Sequence, residues 1–283
     1  MTDQPNAWRM LPSSDDPADL ALARAEGLLA GLVAHGRPAL RWYGAQQRAM
    51  VLGSGQRLSE LDAAALQVAG VSLHRRASGG TAVLFVPGLL MQDIALPLDH
   101  PLYQHDVTAS YAWLGAVWMA SLAQLGCTEL SLVSVAAARA DAQQSDPLVR
   151  RACFGGRSPY EVLVGGRKLV GFSQVRRRMG ALFQVGLYTH WPGAELVALL
   201  RLSPAERVAT SAALAARVAG LAEVHPKPPS HNAIMDTFAA TLAQHHHIVL
   251  EATPWSPKEQ VATQGALGRY APVSHQAFVS HHA

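Results

Sequence analysis

Three apolar-rich runs, residues 160–164, 168–174 and 181–189, follow one another with only Gly165-Gly166 and the short segment 176–180 between them. A parallel strand pair needs a crossover of about a dozen residues or more, so connections this short confine the runs to an antiparallel meander. Strand alternation within 168–174 puts Lys168, Val170, Phe172 and Gln174 on one face and Leu169, Gly171 and Ser173 on the other. The runs 71–74, 82–86 and 90–96, with a tight turn at 78–80, repeat the pattern and predict a second antiparallel group. Two further β-like runs, 39–43 and 49–52, precede them.

Helical periodicity fills the rest. Residues 17–34 recur apolar at helical spacing behind Ser13, Ser14, Asp15 and Asp16, which are residue types that cap helix starts. Further helices are predicted near 59–68, from about 108 to 125 with Gly126 as the stop, from Pro204 to about 221, over 232–244 and over 257–270. The runs 130–135 and 248–252 look like strands, and the polar stretch 140–147 is the best internal loop. This mixture predicts an α+β fold of mixed, largely antiparallel sheets flanked by helices. The proline-rich HPKPPSHN marks the one boundary, dividing a main unit over 1–222 from a small helical extension over 223–283.

Several classes drop out. The longest apolar stretch, 82–91, is broken by Pro87 and Gly88, whereas a bilayer span needs about 20 apolar residues; no membrane association is expected. The opening MTDQPNAWRMLPSSDD lacks the basic end and apolar run of a secretory signal. Two cysteines, Cys127 and Cys153, form neither a disulfide framework nor a zinc spacing, which fits a cytoplasmic setting. A net charge of +3 carried by scattered basic pairs gives no nucleic-acid surface. His245-His246-His247, with His225, His231, His275, His281 and His282, raises the question of a metal, but adjacent histidines on a helix point in different directions, and no metal site is expected.

Three segments could carry chemistry. In Arg75-Arg76-Ala77-Ser78-Gly79-Gly80 a turn without side chains lets a ligand approach the backbone, and the guanidiniums could hold a phosphate or a carbonyl oxygen; a solvated hairpin is the plainer alternative. Lys168 is one of only three lysines in an arginine-rich chain. An ammonium beside Val170 and Phe172 either snorkels at a rim or touches a substrate. Cys153 stands in RRACFGG, where nearby arginines favour the thiolate and a glycine loop gives access, so it is a candidate nucleophile or else an inert buried thiol. Cys127, between a helix stop and a strand, has only the inert reading.

Taken in order, RRASGG, then CFGGRSPYEVLVGGRKLVGFSQ, then GALFQVGLY resemble the biotin/lipoate protein ligase superfamily, in its branch of lipoate-protein ligases and cysteine-dependent octanoyl- or lipoyltransferases. The resemblance spans residues 20–200. It implies that Lys168, with Gly171 and Gln174 in the element K-x-x-G-x-x-Q, lies against the acyl carbonyl. Arg76, Ser78, Gly79 and Gly80 would border the acyl-carbonyl pocket, and Gly171 and Ser173 would form its other wall. Cys153 would form an acyl thioester and pass the octanoyl or lipoyl group to a lysine of a lipoyl carrier protein. No cofactor is then required, whereas the alternative, a lipoate-protein ligase, would use ATP and magnesium. The pattern departs at 84–88, where many relatives carry a His-Asp pair and this chain has Leu84, Phe85, Val86 and Pro87. That change speaks against an adenylating site, leaves a noncatalytic acyl-binding relative as a further alternative, and could deepen an acyl groove, at about 0.8 kcal/mol per buried methylene.

Overall fold

The computed structural model describes residues 6–274. In chain order it comprises β1 (Asn6–Met10), β2 (Ser14–Asp16), α1 (Ala18–His35), β3 (Ala39–Ala45), β4 (Ala49–Leu52), α2 (Ala63–Val68), β5 (Ser72–Arg75), β6 (Val83–Phe85) and β7 (Leu89–Pro97). There follow α3 (Ala112–Gln124), β8 (Leu130–Leu132), α4 (Val135–Gln144), β9 (Val162–Val164), β10 (Arg167–Arg177), β11 (Gly180–Tyr188), α5 (Gly193–Ala198), α6 (Pro204–Arg217), α7 (His231–His246), β12 (Ile248–Ala252) and α8 (Pro257–Tyr270). No helix among the described residues is long and apolar enough to cross a membrane.

The large sheet runs β12-β1-β3-β7-β11-β10-β9-β8, with β2 beside β3. From β3 through β8 every pairing along it is antiparallel, and β9, β10 and β11 form the meander that the short connections require. The small sheet runs β5-β4-β6 and corrects the second expectation. Residues 72–75 pair in parallel with β4, β6 pairs antiparallel on its other side, and β7 leaves for the large sheet. The cause lies in β4: Ala49, Met50, Val51 and Leu52 are all buried, and a strand apolar on both faces takes a central place between neighbours.

Two helical expectations also change. Ser14 and Asp16 do not cap α1, whose N-cap position is Pro17 and which has no side-chain cap. They lie in β2, where Arg24 Nη1 donates to Ser14 Oγ and Asp16 Oδ1, each at 2.6 Å. The polar stretch expected as a loop is largely helix α4, begun by Ser134, whose hydroxyl accepts from Ala137 N. Only Ala138 of this helix is buried, so apolar periodicity was too thin to announce it.

Alternation along β11 sorts the core. Phe183, Val185 and Leu187 join Trp113, Val117 and Trp118 of α3 and Phe238 and Leu242 of α7 on one face of the large sheet. On the other face Tyr188, Leu89 and Met91 meet α1 and the small sheet. Packing crosses the 222/223 boundary: Phe238 and Ile248 lie in the first core, Ala266 and Tyr270 of α8 in the second, and β12 pairs in parallel with β1. Beyond α8, Val273 N donates to Leu73 O at 2.7 Å and covers the edge of β5. Close approach of α8 to α1 requires Gly27, where a Cβ would stand 2.9 Å from Glu259 O.

Glu259 fastens this segment. Arg9 donates from Nη1 to Oε1 at 2.7 Å and from Nη2 to Oε2 at 2.9 Å, with side chains only 5% and 0% exposed, while Ser256 and Glu259 form a capping box at the start of α8. Burial pushes the Glu259 carboxyl up, but the bonds from Arg9 and Ser256 outweigh it and hold the carboxyl below its usual range. A lowered native value means stability present above the unfolded value, about 4.3, and lost as pH falls through the native one. Glu259→Gln should therefore cost about 3 kcal/mol at pH 7, and the gap to wild type should close on acidification. Thermal melts of both proteins from pH 7 to pH 3 check this; a gap independent of pH would contradict the assignment.

Candidate active site

The glycine turn and the cysteine are brought together by backbone pairing. Ala82 N donates to Arg151 O at 3.1 Å, Cys153 N to Ala82 O at 2.8 Å, and Thr81 Oγ1 to Arg150 O at 2.7 Å, so residues 150–153 continue the small sheet beyond β6. Arg76 is buried and braces the turn through Nη2, which donates to Gly79 O at 2.7 Å and to Thr81 O at 2.9 Å, while Nη1 reaches Val51 O at 3.2 Å. The same Nη2 stands 3.7 Å from Cys153 Sγ. Gly80, at φ +86, has no room for a side chain: a Cβ would lie 2.8 Å from Arg76 Nη2 and 3.3 Å from Sγ.

Facing this turn is a patterned surface of the large sheet. Tyr43, Met91, Gly186 and Gly171 stand opposite one another across β3, β7, β11 and β10. The two glycines leave a trough, and the ring of Phe154 lies over them, 3.2 Å from where a Cβ of residue 171 would be and 3.5 Å from one at 186. The adjoining row is polar: Arg41, Asp93, Gln184 and Ser173. Asp93 is fully buried and accepts from Arg41 Nη2 at 2.6 Å, from the Tyr43 hydroxyl at 3.2 Å and from Gln184 Nε2 at 3.2 Å. Burial, reinforced by Asp93, keeps the Tyr43 phenol protonated far beyond its ordinary range. Both polar tips are thereby committed to Asp93.

Between the turn and the trough lies a narrow, mostly apolar pocket. Arg76, Cys153, Gly171 and Ser173 line it, together with Leu22, Val83, Phe85, Leu89, Met91 and Phe154. Phe85, in the segment 84–88, thus forms apolar wall. Ser78 is placed just behind, accepting from Ser173 Oγ at 3.3 Å and so joining the two walls. Gly79 and Gly80 border Arg76 and the thiol without lining the pocket.

Lys168 is where simple alternation fails. The pairing of β9 with β10 slips between Lys168 and Val170, and the Lys168 carbonyl accepts from Ala219 N at 2.9 Å. Leu169, Val170 and Phe172 consequently all enter the core beneath α3, and Lys168 turns to the pocket side. It is no rim residue: its side chain is 2% exposed, with Nζ 2.7 Å from Glu161 Oε2 and 3.4 Å from the Cys153 carbonyl. It does not line the pocket but lies directly behind Cys153 and Glu161, which do.

Glu161 escaped the sequence reading. Its Oε2 also accepts from Ser158 N at 2.7 Å and its Oε1 from Phe172 N at 3.2 Å. Burial raises its carboxyl above the usual range, against the restraint of Lys168 and the two backbone amides. The available signal was one acid at the head of the apolar run YEVLV, since a charge carried into a core demands a partner. Gln174 of the lysine element points elsewhere, donating to Val107 O at 2.8 Å. Cys127 is buried, and burial raises its thiol above the ordinary value. Among the described residues no three His, Cys, Asp or Glu side chains are grouped to hold a metal; His275, His281 and His282 lie outside them.

Known proteins resemble this chain in sequence and in fold. The octanoyltransferase LipM of Moorella thermoacetica is 33% identical over 204 residues, 71% of each chain. That of Symbiobacterium thermophilum is 30% identical over 267 residues, 91% of this chain and 93% of the relative. Among solved structures, a bipartite lipoate protein ligase from Thermoplasma acidophilum superposes with a TM-score of 0.73 at 18% identity, covering 93% of this chain and 92% of its own. A lipoate-protein ligase A bound with ATP does so with a TM-score of 0.73 at 20% identity, covering 93% and 95%. At such identities these two establish the fold. Residues 17–243 match the lipoyl protein ligase A/B catalytic domain, and the chain belongs to that family.

Proposed function

We propose that the protein is an octanoyltransferase that moves the acyl group through Cys153 to a lysine of a lipoyl carrier domain. The observation that carries this reading is a thiol opening on an apolar pocket, with a guanidinium 3.7 Å from its sulfur and a buried ammonium behind its carbonyl. Its similarity to the octanoyltransferases named above supports the choice of acyl group.

In the first half-reaction Cys153 Sγ attacks the carbonyl carbon of the donor thioester. The new S–C bond forms, the donor's S–C bond breaks, and the proton lost by Cys153 ends on the departing thiol. Lys168, behind the Cys153 carbonyl, and Arg76, beside its sulfur, supply positive charge near where the carbonyl oxygen becomes anionic. In the second half-reaction the acceptor amine attacks the enzyme thioester, the amide C–N bond forms, the S–C bond breaks, and a proton from the amine returns to Sγ. Leu22, Val83, Phe85, Leu89 and Met91 hold the alkyl chain, each buried methylene contributing about 0.8 kcal/mol. One thioester is exchanged for another before the amide forms, so neither ATP nor magnesium is consumed. A free thiol nucleophile suits a reducing, cytoplasmic setting.

Incubation with an octanoylated carrier should add one octanoyl mass to the intact protein. Hydroxylamine should remove it, and Cys153→Ala should lack it. Carrier acylation that requires ATP and leaves Cys153 unmodified would overturn this reading in favour of a ligase. Lys168→Met, checked for folding by thermal melt because it strands Glu161, should slow acylation of Cys153 by about 100-fold or more.

A further inference from the structure

We propose that Glu161 is the positioning residue of this site, holding the Lys168 ammonium aimed at the Cys153 side of the pocket. The inference rests on the acyl-transfer reading above and goes beyond it by assigning a role to a carboxylate that neither the sequence motifs nor the proposed chemistry used.

The geometry leaves Glu161 little other purpose. Its carboxylate is 3% exposed and divides three bonds between two segments: Oε2 takes Lys168 Nζ from β10 and Ser158 N from the preceding loop, and Oε1 takes Phe172 N farther along β10. The bonds from Lys168 and Phe172 straddle the slip in β10, so one side chain stabilises the irregularity that turns Lys168 to the pocket. Lysine brings three donors on a flexible stem, and without a fixed acceptor its direction would be free. The remaining Nζ contact, 3.4 Å to the Cys153 carbonyl, points it at the loop that bears the thiol. Lining the pocket as well, Glu161 lies where burial of a substrate would remove the last water from the pair.

The charged and titratable groups facing the pair are few. Lys168 comes from β10, Cys153 from the loop beyond β6 with Arg76 behind it, and the Tyr111 phenol from the segment leading into α3, its ionisation suppressed by burial. Arg176 adds a more distant charge beside Tyr111. None of these replaces the carboxylate as a counter-charge within hydrogen-bond reach of Nζ among the described contacts. Burial raises the Glu161 carboxyl above the ordinary carboxylate range, so its support of Lys168 fades as the solution is acidified.

Two measurements on the full chain test the role. The first is the rate of Cys153 acylation from an octanoylated carrier, read by intact mass from pH 5 to 8 for wild type, Glu161→Gln and Glu161→Asp. Glu161→Gln should be slower by about 30-fold at pH 8, with the difference narrowing toward the acid end of the range as the wild-type carboxyl takes up its proton. Glu161→Asp, which keeps the charge, should remain a constant fraction of wild type. The second uses wild type alone, labelled with [13Cε]lysine: Lys227 and Lys258 are exposed and Lys168 is buried, so its signal is separable. That signal should follow a carboxyl titration on acidification while the other two stay still.

A folded Glu161→Gln that acylates at the wild-type rate, or is slowed equally at every pH, overturns the proposal. So does a Lys168 signal indifferent to acid, and if Glu161→Gln does not fold, this titration decides alone. Absence of any adduct on wild type would instead sink the acyl-transfer reading, leaving the lysine titration to judge the Lys168–Glu161 coupling separately.

Discussion

An ammonium and a carboxylate 2.7 Å apart and shut away from water must be held by the protein on every side, because neither can turn to solvent if its partner moves. The pair of Lys168 and Glu161 imposes this demand at the centre of the molecule. Glu161 meets it by accepting two backbone amides, and Lys168 by leaning on the carbonyl of Cys153. The loop carrying the thiol, the irregular start of β10 and the turn into β9 are thereby tied to one another. Disturbing any of the three leaves a buried charge with an incomplete set of partners.

Around this pair the two sheets act as opposing jaws. The small sheet, extended by residues 150–153, supplies the thiol, the guanidinium and the glycine turn; the large sheet supplies the trough over Gly171 and Gly186. Within the small sheet the turn closes only where a side chain is absent: a Cβ on Gly53 would collide with the carbonyl of Gly80. Beneath the trough, Asp93 gathers the polar ends of Tyr43 and Gln184 and is itself neutralised by Arg41, so those two pocket-lining side chains present their hydrocarbon to an acyl chain. The polar layer and the apolar cavity are thus one construction.

The segment after residue 223 belongs to the same economy of burial. The strand β12 extends the sheet beyond β1, α7 completes the aromatic core with Phe238 against Trp42 and Trp118, and α8 lies along α1 through Gly27 and the Arg9–Glu259 pair. Since α1 contributes Leu22 to the pocket, the packing of α8 also bears on the geometry of the site.

Much of this was legible in the chain itself. Periodicities of two and of 3.6 residues are local properties, which is why the run 49–52 coincides with β4 and the helix over 257–270 with α8, and why glycine connections forced the meander. The residues of the glycine turn, Cys153 and Lys168 stood out by type. What local pattern could not contain was any arrangement settled by a distant partner. The parallel pairing of residues 72–75 depends on β4; the slip that reverses Lys168 depends on a hydrogen bond from Ala219; and Glu161 has meaning only opposite a lysine that alternation placed on the wrong face. Alternation is set by each residue's own backbone, whereas a bulge and a buried counter-charge exist only when segments far apart in the chain have closed on one another, and that closure belongs to the tertiary structure.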